Sequence, residues 1–388
     1  MTMKFRVEQD SFGDLLIPIS ALYGAQTQRA VQNFVISGQQ MPVEFIKALA
    51  LIKAATANAN GALGQLSKTQ AKAIESAALE IVNGSYSDQF PVDVYQTGSG
   101  TSSNMNVNEV VAHLANRKLK SAVNPNNHVN LGQSSNDVVP SANLLASSLV
   151  LQNQLMPALQ GLQTTITRKA KQLKRHIKTG RTHLMDAMPI SMEQELLAWS
   201  AQLSSAQARF IDCSKRLHEL PLGGTAVGTG VNANPKMTVL ACRYISKYTR
   251  ITVKPAGNKF ESIAAQDHLV ELSGHCNTLA VCLMKICNDL RWMNSGPLTG
   301  LSEIALPALQ PGSSIMPGKV NPVIPEAVAM VCAQVMGNHT SITIAGQSGN
   351  FQLNTMMPLI ANNSLQSLNL LASACQHLGE KAIAGFIV

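Results

Sequence analysis

Long helical stretches that are apolar on more than one face constrain this chain of 388 residues more than any other feature. Thirty residues of helix extend about 45 Å, and helices of that length in a soluble chain pack side by side as a bundle. A helix that is apolar nearly all round must be buried all round. We therefore expect a long bundle that packs against copies of itself. The stretches with helical periodicity are Ser141–His176, Ser191–Leu220, Ser262–Asn294, Pro325–Met336 and Met357–Ala384.

The composition agrees with a chain that hides much of its surface. Charged residues make up 13% of it, whereas a typical soluble domain has about 25%. The net charge of +8 could indicate nucleic acid, a membrane surface or an acidic substrate. Basic residues are not clustered with aromatic ones, which argues against nucleic acid. No run approaches the roughly 18–20 apolar residues of a membrane helix, so a small acidic substrate is favoured.

Cysteine usage and the first residues indicate a cytoplasmic protein. The seven cysteines are odd in number and lack the C-x-x-C spacing of redox or metal sites. We expect them to be reduced and mostly buried. No group of His, Cys, Asp and Glu has the spacing of a zinc site along the sequence. The segment Met1–Asp10 has no apolar region of the kind found in signal peptides.

The first 136 residues are mixed in character, with glycine, asparagine, serine and proline between short helical stretches. We predict an N-terminal domain of residues 1–136 and a central helical domain of residues 137–388. Predicted helices of the first domain are Ala48–Leu63, Lys68–Val82 and Asn106–Lys120, followed by a loop at Asn124–Asp137. Predicted loops of the second domain, where chemistry is often located, are Lys178–Pro189, Pro221–Asn234 and Pro307–Pro322.

The segment Gly312–Pro322 is the most informative motif. It reads Gly-Ser-Ser-Ile-Met-Pro-Gly-Lys-Val-Asn-Pro and presents two hydroxyls, one ammonium and one amide on a loop rich in glycine and proline. Such a set suits an anionic substrate on which negative charge develops during the reaction.

This motif and eight further segments in the same order resemble the fumarase/aspartase superfamily and, within it, class II (iron-independent) fumarate hydratases. The resemblance covers essentially the whole chain. The other segments are Phe5–Glu8, Leu22–Arg29, Thr97–Thr101, Asn104–Glu109, Gln133–Asp137, Gly180–Leu184, Gly223–Gly230 and Asn258–Glu261.

His183 and the loop favour fumarate hydratases over their relatives. Aspartases usually carry Gln at the position of His183 and Met-Pro-Ala-Lys in the loop, where this chain has Met316-Pro317-Gly318-Lys319. The alternative is an aspartate ammonia-lyase or another lyase of the superfamily. A non-catalytic descendant is disfavoured because the reacting groups are intact.

The resemblance implies a mainly α fold of the L-aspartase/fumarase type, with a five-helix bundle and a homotetramer built on it. It implies active sites shared by three subunits. One subunit brings the segments at Ser99 and Ser134–Asn136, another brings His183, and a third brings Ser313–Asn321.

The implied activity is the reversible hydration of fumarate to L-malate in the tricarboxylic acid cycle, by anti addition through an aci-carboxylate, without metal, nucleotide or redox cofactor. Ser313 would be the base, Lys319 and Asn321 would hold the charged carboxylate, and His183, oriented by Glu326, would handle the water. The residues implied to bind substrate are Ser99, Gly100, Thr101, Ser134, Ser135, Asn136, Thr182, Ser314 and Val320.

Three departures from the family pattern affect what is expected. A second, weaker dicarboxylate site of the family corresponds here to Asn124, Pro125, Asn126 and Asn127, where a usual His and Asp are Asn, and Ser121 replaces a basic residue. We expect no binding there. Leu298 replaces an Arg, and the small C-terminal domain of the relatives is expected to be absent.

Overall fold

Apolar residues at helical spacing, with few aromatics, give a mainly helical structure, as predicted. The computed structural model describes residues 4–10, 12–119 and 122–388. Its α-helices are α1 (Ala25–Asn33), α2 (Val43–Ala62), α3 (Lys68–Val82), α4 (Thr101–Asn116), α5 (Ser135–Val150), α6 (Met156–Gln172), α7 (Met192–Leu217), α8 (Met237–Thr249), α9 (Lys259–Ala264), α10 (Asp267–Met293), α11 (Val323–Gly346) and α12 (Met357–His377). Single π-helical turns occur at Pro125–Val129, Leu151–Leu155 and Leu378–Ile383.

The strands in the described ranges form small two-stranded sheets. They are β1 (Phe5–Asp10), β2 (Gly13–Pro18), β3 (Ile177–Thr182), β4 (Met185–Ser191), β5 (Glu219–Leu220), β6 (Lys254–Pro255), β7 (Gly349–Asn350) and β8 (Leu353–Asn354). Each sheet pairs consecutive strands, antiparallel except for β5 and β6.

The loop predicted at 178–189 is wrong, because this segment forms the antiparallel hairpin of β3 and β4. The prediction was based on a polar, glycine-containing connection between two helical stretches, and glycine usually weakens a strand. Gly180 instead marks a register shift between Thr179 and Arg181, which is a position where glycine is common in strands.

The hairpin is also held by the carboxylate of Glu303. Glu303 accepts a hydrogen bond from Arg181 Nη1 at 2.5 Å and forms an ion pair with Lys178 at 2.9 Å.

The chain divides into two compact units. The first comprises residues 1–149, 214–270 and 341–365, and the second comprises residues 150–213, 271–340 and 366–388. The boundary predicted between residues 136 and 137 stays a prediction.

The first unit is built on α2, which is buried on nearly all its faces. Phe45, Leu49 and Ile52 are fully buried. At the start of α3 a capping box joins Ser67 and Gln70, which satisfies two backbone N–H groups that have no partner within a helix. Glu109 of α4 caps the start of α1, accepting hydrogen bonds from Gly24 N at 2.9 Å and from two further backbone N–H groups.

The second unit contains the long helices as a bundle. Polar contacts join neighbouring helices: α6 to α7 at Gln163 and Ser200, α7 to α10 at Trp199 and Asp289, α10 to α11 at Ser273 and His339, and α11 to α12 at Asn338 and Gln366. Leucines and isoleucines fill the space between them, among them Leu203, Leu283, Ile286, Leu290 and Leu371.

The cysteines are buried and form no disulfide, as predicted. None of the helices described is both long and apolar enough to span a bilayer.

Candidate functional site

In the first unit, one predicted binding segment is the turn that leads into α4. Gly100 is the N-terminal cap of the helix and has a left-handed backbone with φ of 72°. The hydroxyls of Ser99 and Thr101 lie 2.8 Å apart on either side of it. The first N–H groups of a helix have no partner within the helix, and its dipole favours negative charge there. This turn can therefore hold a carboxylate.

Gly98 fixes this turn through a very close backbone approach. Its carbonyl accepts a hydrogen bond from Met357 N at 3.0 Å. A methyl carbon added at Gly98 would lie 1.8 Å from the carbonyl oxygen of Thr355, a distance that no pair of non-bonded heavy atoms tolerates.

Gly98→Ala is therefore expected to lower the free energy of unfolding by about 3 kcal/mol, because the backbone must move to make room. The matched control is Gly161→Ala in α6, where an added methyl meets nothing within 4 Å and should stabilise the helix by up to about 1 kcal/mol. Urea unfolding of both variants checks the prediction. Equal stability of the two variants would contradict it.

The second predicted segment of the first unit, Ser134–Asn136, lies at the start of α5. Asn136 N donates to Ser134 Oγ at 3.2 Å, and Asn136 Nδ2 donates to the carbonyl of Ala226 at 2.8 Å. Ser135 Oγ accepts a hydrogen bond from Asn104 Nδ2 at 3.0 Å. The N-terminus of α5 therefore has two hydroxyls and one amide beside its first backbone N–H groups. Such a set of donors is suited to binding a carboxylate.

A buried charge network lies beneath this second segment. Lys53 of α2 is fully buried, and its Nζ donates to Asn130 Oδ1 and Gln133 Oε1, both at 2.9 Å. Asp137 is also fully buried and accepts hydrogen bonds from the backbone N–H groups of Ser134, Gly223 and Thr225 at 2.7–3.0 Å. Asp137 thereby ties the Ser134 segment to the glycine-rich segment 223–230.

Burial is the largest influence on both charges of the network. It lowers the pKa of Lys53 to about 7, against the opposing effect of the Asp137 charge. Burial raises the pKa of Asp137, although the three backbone hydrogen bonds and Lys53 act in the other direction. Both side chains hold polar groups in place where solvent does not reach.

In the second unit, His183 lies at the exposed tip of the hairpin. His183 and Leu184 both have a left-handed backbone, with φ of 57° and 61°. Two successive residues with positive φ form the turn that matches the twist of a two-residue hairpin. Neither residue is glycine, so the turn stores strain of about 1–3 kcal/mol per residue. Thr182, the last residue of β3, is exposed beside it.

The loop 312–322 folds back on itself. Gly312 N donates to the carbonyl of Lys319 at 2.7 Å, and Asn321 Nδ2 donates to the carbonyl of Gly312 at 2.8 Å. Ser313 Oγ accepts hydrogen bonds from Ile315 N at 3.3 Å and Met316 N at 3.2 Å. Two N–H dipoles directed at one hydroxyl oxygen stabilise negative charge on it.

Lys319, Val320, Asn321 and Glu326 line a cavity of about 780 Å³ in the second unit. Glu326 lies in the first turn of α11. Ser313, Ser314, Thr182 and His183 are not among the described residues that line this cavity. Within one chain the structure thus brings Lys319, Asn321 and Glu326 together and leaves His183 on a separate, exposed turn.

Comparisons with known proteins agree on one family. Residues 13–337 match the protein family described as Lyase. A fumarate hydratase class II of Xylella fastidiosa is 61% identical over 99% of this chain and 81% of that protein. The fumarate hydratase class II 2 of Pseudomonas aeruginosa is 55% identical over 99% of this chain and 84% of that protein. The crystal structure of class II fumarase from Schistosoma mansoni superposes with a TM-score of 0.97 at 39% identity, covering 99% of this chain and 85% of that chain.

The chain belongs to the class II fumarate hydratase family. The predicted fold class, mainly α and of the fumarase type, is confirmed by the superposition. Membership in this family also confirms that the chain is a lyase.

The segment predicted to correspond to the family's second dicarboxylate site, Asn124–Asn127, is a self-contained turn. Asn124 Oδ1 accepts hydrogen bonds from the backbone N–H groups of Asn126 and Asn127, each at 2.9 Å. Asn124, Pro125 and Asn126 line a cavity whose wall also contains the carboxylates of Glu8, Asp10 and Glu109 and the guanidinium of Arg29, which pairs with Asp10 at 2.7 Å. Ser121 lies outside the described residues.

Sequence reasoning missed Lys53, Asp137 and Arg291. Lys53 lies between Ile52 and Ala54, in a helical segment whose neighbouring residues are apolar. A lysine in such a segment was the available signal of a buried cation. Arg291 lines the same cavity as Lys319 and donates to Asn288 Oδ1 at 3.4 Å. Leu298 is 92% exposed, and nothing in the structure explains its replacement of the usual Arg.

Proposed function

We propose that this chain catalyses the reversible hydration of fumarate to L-malate, as a cytoplasmic enzyme of the tricarboxylic acid cycle. The observation that supports the proposal most is the family membership together with the intact loop 312–322, in which two N–H groups converge on Ser313 Oγ. Dehydration of L-malate requires a proton to leave C3 and a hydroxide to leave C2.

Ser313 is the proposed base. Its alkoxide takes the proton from C3, the C–H bond breaks, and the electron pair moves onto the neighbouring carboxylate as an aci-carboxylate. A serine is a weak base unless its alkoxide is stabilised. The hydrogen bonds from Ile315 N and Met316 N supply that stabilisation, because N–H dipoles favour negative charge on the oxygen.

Lys319 and Asn321 are proposed to hold the carboxylate that receives the charge. Both line the cavity beside the loop, and an ammonium placed in advance stabilises charge that develops in the transition state. The helix N-termini at Ser99–Thr101 and Ser134–Asn136, with Thr182, Ser314 and Val320, are proposed to hold the remaining carboxylate oxygens.

His183 is proposed to protonate the leaving hydroxide from the face opposite to Ser313, with Glu326 of another subunit orienting its ring. An imidazole exchanges protons near neutral pH, so it serves as acid for dehydration and as base for hydration. Acid and base on opposite faces give anti addition.

Stereochemistry tests this mechanism. Fumarate hydrated in deuterium oxide should give L-malate with one deuterium at C3, as the single diastereomer of anti addition, identified by its H2–H3 coupling constant in proton NMR. The diastereomer of syn addition, or a mixture of the two, would rule out two groups fixed on opposite faces.

We also propose a homotetramer whose sites draw on three subunits. Exposed apolar side chains on the long helices of the second unit support it: Ile211 is 57% exposed, Val281 is 54% exposed and Met330 is 68% exposed. We propose that these side chains belong to one contiguous patch, because contiguous exposed apolar patches mark protein–protein interfaces. Sedimentation velocity is expected to show a tetramer, and a monomer alone would contradict the proposal.

Ser313→Ala and His183→Ala proteins, each inactive, should regain partial activity when unfolded and refolded together.

One dicarboxylate is expected to bind per chain. At the segment predicted for the family's second site, the N–H groups of Asn126 and Asn127 already donate to Asn124 Oδ1. The cavity beside it has, among the described residues that line it, three carboxylates against the single guanidinium of Arg29, which disfavours a dianion. Calorimetric titration with a non-reacting four-carbon dicarboxylate checks the stoichiometry. A second equivalent that disappears on changing Asn126→Asp would contradict the expectation.

A further inference from the structure

A cysteine, a glutamate and a histidine that are far apart in the sequence come together in the second unit. Cys213 lies near the end of α7, and Glu271 and His275 lie on α10. One possible ligand atom of each lies within 4.8 Å of those of the other two. Glu271 and His275 are four residues apart, so the helical period places both side chains on one face. Cys213 reaches that face from the neighbouring helix.

We propose that Cys213, Glu271 and His275 form a binding site for Zn²⁺ that links α7 to α10. Thiolate, imidazole and carboxylate are the protein ligands that zinc takes, and thiolate disfavours Mg²⁺ and Ca²⁺. Cys213 binds as the thiolate, and its proton leaves to solvent as the metal enters.

The spacing fits a tetrahedral ion. Ligands at about 2.0–2.3 Å from zinc lie about 3.5 Å from one another. His275 Nε2 and Glu271 Oε1 are 3.7 Å apart. The Cys213 sulfur lies within 4.8 Å of the ligand atoms of both other residues. A rotation of the Cys213 side chain is the adjustment that would bring it to the separation found around zinc.

The surroundings give the site a fixed wall and an open side. Cys213 is fully buried, and the ring of Phe210, one turn before it on α7, packs edge-on against the His275 ring with centroids 6.2 Å apart. This contact restrains the imidazole, as the groups around metal ligands commonly do. The His275 and Glu271 side chains are 24% and 31% exposed, which gives the ion an entry path and a water as fourth ligand.

Metal content of the full chain tests the proposal. Chelator-treated protein is incubated with Zn²⁺, passed through a desalting column and analysed by mass spectrometry of its metals. One equivalent per chain is expected, with at least a tenfold loss in both Cys213→Ala and His275→Gln. Matched controls that should keep the metal are Cys287→Ala, a buried cysteine of α10, and His268→Gln, another partly exposed histidine of α10.

Cobalt gives an independent spectroscopic test of the thiolate. Co²⁺ bound to the parent should show the ultraviolet charge-transfer band of a cobalt–thiolate bond, and Cys213→Ala should lack it. His275→Gln changes a partly exposed residue, so the variant is expected to fold. Its circular dichroism spectrum, compared with that of the parent, distinguishes loss of metal from loss of structure. The proposal is overturned if the parent retains no Zn²⁺, or if Cys213→Ala retains as much as the parent. Neither readout depends on the hydration activity.

Discussion

Ser313→Ala is expected to lower kcat for the conversion of L-malate to fumarate by about 10²–10⁴-fold, which is the usual contribution of a general base. The hydroxyl is the acceptor for Ile315 N and Met316 N, and alanine leaves no atom there to take the proton. Affinity for a saturated four-carbon dicarboxylate should change by less than about threefold, since the groups proposed to hold carboxylates remain.

The control for this experiment is Ser204→Ala, which removes an exposed hydroxyl from α7. Its kcat should equal that of the parent. Circular dichroism and the thermal midpoint of Ser313→Ala should match the parent as well, because the loop is largely exposed. Activity of Ser313→Ala close to that of the control would remove Ser313 from the role of base.

Lys53→Met is expected to lower the free energy of unfolding by about 1–3 kcal/mol, the cost of leaving buried polar groups without their hydrogen-bond donor. The substitution leaves Asp137 buried and removes the donor to Asn130 and Gln133. The Ser134 segment should lose order, so KM for L-malate should rise as well.

Lys47→Met is the matched control on α2, where the side chain is partly exposed and the expected change is within about 0.5 kcal/mol. The double variant Lys53→Met with Asp137→Asn should be less destabilised than the sum of the single variants, because neither charge is then left alone. A Lys53→Met protein as stable as the control would show that the network contributes nothing.

Lys53 also predicts a dependence of stability on pH. Its pKa is lowered in the folded state from 10.5 to about 7, so between these values the unfolded chain binds more protons than the folded one. Stability from this group is therefore greatest above pH 10.5 and is lost as the pH falls to about 7, with a slope of up to about 1.4 kcal/mol per pH unit. Urea unfolding between pH 7.5 and 9.5 should show a rise for the parent that is absent from Lys53→Met.

Hydrophobic periodicity predicted the helices well where the residues alternate clearly between apolar and polar. The predicted range Lys68–Val82 is the observed range of α3. The helix predicted at Asn106–Lys120 begins earlier, at Thr101. The prediction missed its first turn because Ser102, Ser103 and Asn104 have low helix propensity. The left-handed cap at Gly100 sets that start, and periodicity does not register it.

Contacts between distant residues were beyond sequence reasoning. The hairpin at His183 depends on backbone pairing and on ion pairs with Glu303, so its polar, glycine-containing composition gave the wrong prediction. Asn130 and Gln133 are far from Lys53 in the sequence, and the tertiary structure alone brings them to its ammonium group. For the same reason, spacing along the chain gave no zinc pattern, although Cys213 and His275 come close in space. The assignment of Ser313 and the other site residues rests on the family resemblance and stays a prediction.

The most direct measurement of the central claim is the ultraviolet absorbance of fumarate after addition of L-malate to purified, chelator-treated protein, with L-aspartate in a parallel cuvette. The proposed function predicts that absorbance rises with L-malate to an equilibrium value that added fumarate also reaches, and that L-aspartate gives no change. Absorbance rising with L-aspartate and not with L-malate would contradict it and assign the chain to the ammonia-lyases.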